Sequence, residues 1–219
     1  MRYRSLGWGL ALCACASGGE PTLAAPEAAQ VRREVARSFL GRKCSRPIAA
    51  APGERDQLFV EALVLNVPRK LAESASLRTL EQVLAEPTVE MLGTPHLVVD
   101  VGQEGQLALV DVQGRTEGPS LHRMRLMPRR AEPDLTVLEL EVTLQLPNPT
   151  ALRPNPTRAV ALTFSARDDV SALASAPWDE PGQRSLVVVV RPRSVRSDAD
   201  FKAIFGCKMR ERLELRRPP

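Results

Sequence analysis

The chain has 219 residues, 43% of them hydrophobic, enough for one domain with a proper core or a domain with short extensions. Its formal charge of +4 comes from interspersed signs, and aromatics make up only 4%. No basic stripe is interleaved with stacking aromatics, which argues against a nucleic-acid partner, and the core must be built mainly from Leu, Val and Ala.

Arg2 and Arg4 make a short positive start, residues 6–14 are a brief apolar run, and small residues follow to Gly18. This is the pattern of a secretory signal peptide, here residues 1–24, too short to remain in a membrane as a helix. Leu12-Cys13-Ala14-Cys15 is similar to a bacterial lipobox, in which Cys15 would carry the lipid. Ordinary cleavage after Ala16 or Ala24 is the other reading. Either way the mature protein lies outside the cytoplasm, and its membrane contact is limited to the lipid anchor. Cys44 and Cys207 then remain. In an oxidising compartment they can pair and tie the N-terminal segment to the tail, or stay separate thiols. In the chain-entropy model a bridge closing so long a loop contributes about 5 kcal/mol, less any native strain.

Residues 25–54 read as a helix and a linker. Pro26 suits a first turn, Val31, Val35 and Phe39 fall on one stripe, and Gly41 can end the helix. The prolines and alanines of residues 45–54 rule out regular structure there, so this helix is expected to pack loosely on the main domain, residues 55–197. That domain opens with DQLFVEALVLNV (56–67), apolar on both faces apart from Glu61, as in a central, doubly covered strand. Pro68 stops it, and residues 69–85 have Leu71, Leu77, Leu80 and Leu84 at helical spacing. Residues 87–102 read as a hairpin: a strand opened by Pro87, a tight turn at Gly93-Thr94-Pro95, and a strand ending at Gly102.

Further strands are expected at 106–112, 121–127, 157–166, 170–176 and 185–191. The cleanest alternation is DLTVLELEVTLQL (134–146), with Leu138, Leu140, Val142 and Leu144 on a core face and Glu139, Glu141, Thr143 and Gln145 on a wet one. Were it to face lipid instead, the glutamates would line a lumen. Asp168-Asp169 reads as turn chemistry. Residues 198–219 are a C-terminal helix and tail, with Ser197 and Asp200 at a capping-box spacing. The fold class is α+β: a single mixed, mainly antiparallel sheet packed with one or two helices, plus the N-terminal helix.

The order of these pieces resembles the secretin family, subunits of outer-membrane channels in type II and type III secretion and type IV pilus systems. QLFVEALVLNV is similar to the segment that opens the family's conserved region, and LEQVLAEPTVEMLGTPHLVVDVGQ to the pattern leading to its VGQ. LHRMRLMPRR followed by DLTVLELEV resembles the strand, turn and long strand that come next. TRAVALTFSARDD looks like the Arg-led strand, and LVVVVRPRSV like the closing one; together they cover residues 57–195. Where the family carries a P-LG-x-P-LG-x-LF segment, this chain has SALASAPWDEPGQR. Residues 106–120 are also short for a channel wall. The resemblance implies a secretin-like core in the periplasm or at the outer membrane of a Gram-negative bacterium, working through protein partners of the envelope or self-association. The pore-forming alternative is a minimal secretin subunit.

No catalytic, cofactor or metal constellation is expected. The two histidines, His96 and His122, have no nucleophile in the local pattern, and the glycines form no phosphate cradle. Arg191, Arg193 and Arg196 make the densest basic cluster. Most simply they are a solvated strand exit; the functional reading is a contact for an acidic partner.

Overall fold

The computed structural model describes residues 30, 32, 34–36, 39, 56–108, 118–147, 156–179, 182–197 and 199–204. Strand β1 (Gln57–Pro68) is buried from Leu58 to Val67. Its alternate side chains enter two different cores: Leu58, Val60, Ala62 and Val64 one, Leu63, Leu65 and Val67 the other. A strand covered on both faces has no wet side, which is why its sequence lacks alternation. The last strand, β9 (Arg184–Val195), pairs antiparallel with β1 from Gln57↔Val195 to Pro68↔Arg184. It divides its side chains the same way, Leu186, Val188 and Val190 against Val187 and Val189. β2 (Glu90–Gly93) and β3 (His96–Asp100) flank β1, and β8 (Ala172–Pro177) flanks β9.

A second sheet has the order β4 (Gly105–Ala108), β5 (Ser120–Glu132), β6 (Leu135–Gln145), β7 (Thr157–Arg167). Its inner face presents Met124 and Leu126 from β5, Leu138, Leu140, Val142 and Leu144 from β6, and Val160 and Leu162 from β7. These meet the first sheet in one shared core. The first sheet's other face is covered by α1 (Arg69–Glu73), a 3-10 turn (Leu77–Thr79) and α2 (Leu80–Ala85), which bury Ala72, Leu80, Val83 and Leu84. The layers are therefore helices, five strands, four strands.

The α+β class and the antiparallel character agree with the sequence, but several expectations change. The strands form two face-packed sheets rather than one, and among the described residues every pairing is antiparallel. Alternation reports only that a strand has a buried face, not which sheet it joins. Residues 87–102 are not a hairpin either: β2 pairs with Val64–Asn66 and β3 with Gln57–Glu61, so both lie end to end along β1. Pro95 supplies no N–H at the break, while its carbonyl accepts from Ala62 N at 2.9 Å. Finally, the N-terminal helical residues pack closely, with Ala36 and Phe39 buried in the helix-side core. The helical stretch 69–85 is broken at Ser74, Ala75 and Ser76. There Ser74 Oγ donates to Leu71 O at 3.0 Å, and Ser76 and Thr79 form a capping box.

Candidate functional site

The arginines at the end of β9 differ from one another. Arg191 and Arg193 alternate onto the helix-side face of the first sheet and are 2% and 3% exposed. Opposite them, β1 presents Glu61 on the same face, also buried. Arg193 Nη2 lies 3.2 Å from Glu61 Oε2. The turn after β7 brings Asp169 to both arginines: its Oδ1 is 2.9 Å from Arg191 Nη2 and 3.0 Å from Arg193 Nε. Two buried cations are thus matched by two carboxylates. Burial pulls the Arg191 pKa below its usual value, and the neighbouring Arg193 adds to this; Asp169 and Glu61 push the other way. Arg191 and Arg193 are therefore internal ion-pair partners, neither a solvated strand exit nor a surface offered to an acidic partner. Arg196, half-buried at the surface, lies beyond them; its N–H donates to Asp200 Oδ2 at 2.9 Å.

The same region explains how β9 continues past Pro192, which sits mid-strand. β8 pairs with β9 only from Ser185 to Val190. Beyond it, the Asp168-Asp169 corner takes the place of a strand: Asp169 N donates to Pro192 O at 2.7 Å, and Asp168 Oδ1 accepts from Ser194 N. The carbonyl of Pro192 faces that corner, so its missing N–H falls on the same side and removes no bond to β1.

The outer face of the second sheet is polar. Arg123, Arg125 and Arg129 line β5, and Glu139 and Glu141 line β6 beside them. Arg125 is held by Glu104 at 2.8 and 3.0 Å, a side-chain hydrogen bond that raises its pKa, as does the charge of Glu104. Arg129 reaches Glu139 at 3.3 Å. A shallow groove of about 310 Å³ runs along this face between Glu104, Arg125, Met127, Glu139 and Thr163. It is open and walled by charges that already pair with each other, unlike a small-molecule site. On β7 the outward residues are small: Ala159, Ala161, Thr163 and Ser165, all exposed. β7 is the last strand of its sheet, and among the described residues no strand pairs with its outer edge.

His96 opens β3 opposite Glu61 and stacks, tilted, 5.9 Å from the Phe59 ring. His122 is exposed on β5. Among the described residues, no three His, Cys, Asp or Glu side chains are grouped as metal ligands. Cys15, Cys44 and Cys207 lie outside the described residues. The corner and the β7 edge were not singled out as sites in the sequence. The signal available was a pair of aspartates between two strands, together with an uncharged run, AVALTFSA, at residues 159–166.

No family model and no curated protein matches the chain. Among solved structures it is similar to the type II secretion system secretin GspD of E. coli K12, with 14% identity and a TM-score of 0.44, over 73% of this chain and 55% of that one. It is also similar to the secretin XcpQ of Pseudomonas aeruginosa, with 16% identity and a TM-score of 0.42, over 88% and 69%. A third is the Klebsiella pneumoniae type II secretion system outer membrane complex of PulD, PulS and the PulC HR domain, with 14% identity and a TM-score of 0.43, over 75% and 45%. The chain spans about half the length of the first and third of these.

Proposed function

We propose that the protein is an exported, non-enzymatic, secretin-like interaction module of the cell envelope, accessory to a secretion or pilus system, that engages another protein or a second copy by accepting a strand along β7. The family part of this reading comes from the ordered segments over residues 57–195. The observation that carries the mode of action is the β7 edge. β2 and β4 have four residues each, and the six of β8 end in Pro177. β7 has 11 residues and no proline, and its charges, Arg158 and Arg167, stand only near its ends. Long, flat, uncharged edges are the ones that recruit a further strand. Arg196, at the surface, belongs to the same reading as a contact for an acidic partner.

Light scattering after size exclusion of residues 25–219, over a range of concentrations, tests this. The expected result is a dimer or larger species, or capture of an envelope protein. Ala161→Lys should abolish either while leaving the fold intact, because Glu141 lies directly across the strand pair. A strict monomer that captures nothing would count against the proposal. Mass measurement of the protein made in cells checks the rest: acyl chains on Cys15 mark a lipoprotein, and a loss of two hydrogens marks a Cys44–Cys207 bridge.

The alternative, a minimal secretin subunit in an oligomeric outer-membrane pore, asks a strand face to lie against lipid. In this fold the apolar face of β5 and β6 is already buried against the first sheet, which leaves only the outer face, with Arg123, Arg125, Arg129, Glu139 and Glu141, to meet lipid. A lipid-facing Arg costs about 2–4 kcal/mol at the midplane, which favours the accessory reading. Detergent-resistant rings in unboiled gels would reverse that preference.

A further inference from the structure

β7 and β8 are consecutive strands joined by residues 168–171, and each is the outermost strand of its own sheet. So short a link ordinarily makes a hairpin. Here the two strands come near one another without bonding, and each pairs only on its other side, β7 with β6 and β8 with β9. Bonding between them would fuse the two sheets and close both edges. We propose that the Asp168-Asp169 corner is a clasp that holds β7 and β8 apart and so keeps the β7 edge open; this rests on the reading of β7 as the docking edge.

The clasp is tied at both ends. Toward the second sheet, Asp168 N donates to Asp134 O at 2.8 Å, and Arg167 Nη1 donates to Asp134 Oδ2 at 2.6 Å. These fix the end of β7 against the start of β6. Toward the first sheet, Asp169 N is bound to Pro192 O, Asp168 Oδ1 holds Ser194 N, and the Asp169 carboxylate lies between the buried Arg191 and Arg193. Asp169 has φ +58°, a left-handed conformation uncommon outside Gly, Asn and Asp. The two arginines hold its carboxylate in that position. They are buried cations for which Asp169 is a counter-charge, so the corner cannot relax into a hairpin turn without leaving them under-compensated. Asp168 and Asp169 are thus positioning residues, acting on the β7 edge through the turn they fix.

The test is amide hydrogen exchange by NMR on residues 25–219, with light scattering in parallel, for the parent, Asp169→Gly and Asp168→Ala. Glycine removes the carboxylate and accepts the positive φ; alanine removes the bond to Ser194 and leaves the arginine contacts, so it serves if the first variant does not fold. The expected result, with exchange measured at a concentration where the parent is monomeric, is that the β7 amides pointing away from β6 exchange about tenfold more slowly as β8 pairs with them, and that self-association at higher concentration falls. Exchange at those amides that is unchanged or faster, with β1 and β9 still protected, overturns the clasp. Slower exchange in a variant of a parent that never associates keeps the clasp and removes the docking reading. Association in the parent with unchanged exchange in the variants does the reverse.

Discussion

Glu61 stands on the β1 face that otherwise buries Phe59, Leu63, Leu65 and Val67, and its charge is answered by Arg193, which reaches it across the strand pair. Taking one ion out of water costs several kcal/mol, so the partners are not equivalent when one is removed. Glu61→Ala removes a carboxylate counter-charge from the buried Arg193 and is expected to lose about 3–5 kcal/mol in urea unfolding at pH 7. Arg191→Met should cost much less. The Arg191 pKa is lowered in the fold, so its charged form is less favoured there than in the unfolded chain. That penalty is fully present below the folded value and is relieved as pH rises from there toward the unfolded value. At pH 7, charge at position 191 therefore opposes folding, and an apolar side chain of similar length can replace it. A larger loss from Arg191→Met than from Glu61→Ala would contradict this ordering. From the sequence, Glu61 was visible as an exception and the arginines as a cluster. That they answer one another was not, because 130 and more residues separate them along the chain.

Among the elements, the passage from β3 to β4 is one of the two places where the described chain crosses between the sheets, the other being β7 to β8. Two glycines make the β3-to-β4 passage feasible for different reasons. Gly102 has φ +81° with open space around it. A Cβ at Gly105 would lie 2.9 Å from both Leu97 Cδ2 and Val99 Cγ2, because β4 comes up against β3 there. Gly102→Ala is thus expected to cost about 1–2 kcal/mol, the ordinary penalty for a left-handed conformation. Gly105→Val forces a branched side chain against a buried, stiff Val99 and should cost more, about 1–3 kcal/mol or above. Thermal unfolding of the two variants ranks them, and equal midpoints would remove the close approach as the reason for Gly105. Strand identity was legible for most elements, since β6 alternates cleanly and β1 and β9 are continuously apolar. Their partners were not: the same alternation in β2 and β3 suits a hairpin as well as the interrupted strand they form on β1.

At the scale of the whole molecule, the two sheets are not separate units, because one core holds side chains from both. Trp178 belongs to that core, 8% exposed, and its Nε1 donates to Asn66 Oδ1 at 2.9 Å. It is the one tryptophan after residue 24. In residues 25–219, unfolding followed by its fluorescence should coincide with unfolding followed by far-UV circular dichroism. Leu140→Ala, which empties a site 2% exposed between the sheets, should shift both curves together by about 2–5 kcal/mol. Two separated transitions would mean that the sheets fold independently.

Local order is what the sequence determined by itself. Periodicity, proline and capping residues act within a few positions, and they specify where strands and helices run and that the class is α+β; the reciprocal bonds between Ser197 and Asp200 form as their spacing suggests. Only the tertiary structure decided which strands share a sheet, that Arg191 and Arg193 turn inward, and that an aspartate corner stands in for a strand beside Pro192. Those outcomes depend on which residues meet across long stretches of chain, and a buried charge or an unpaired edge is defined by its neighbours in space rather than by its neighbours in sequence.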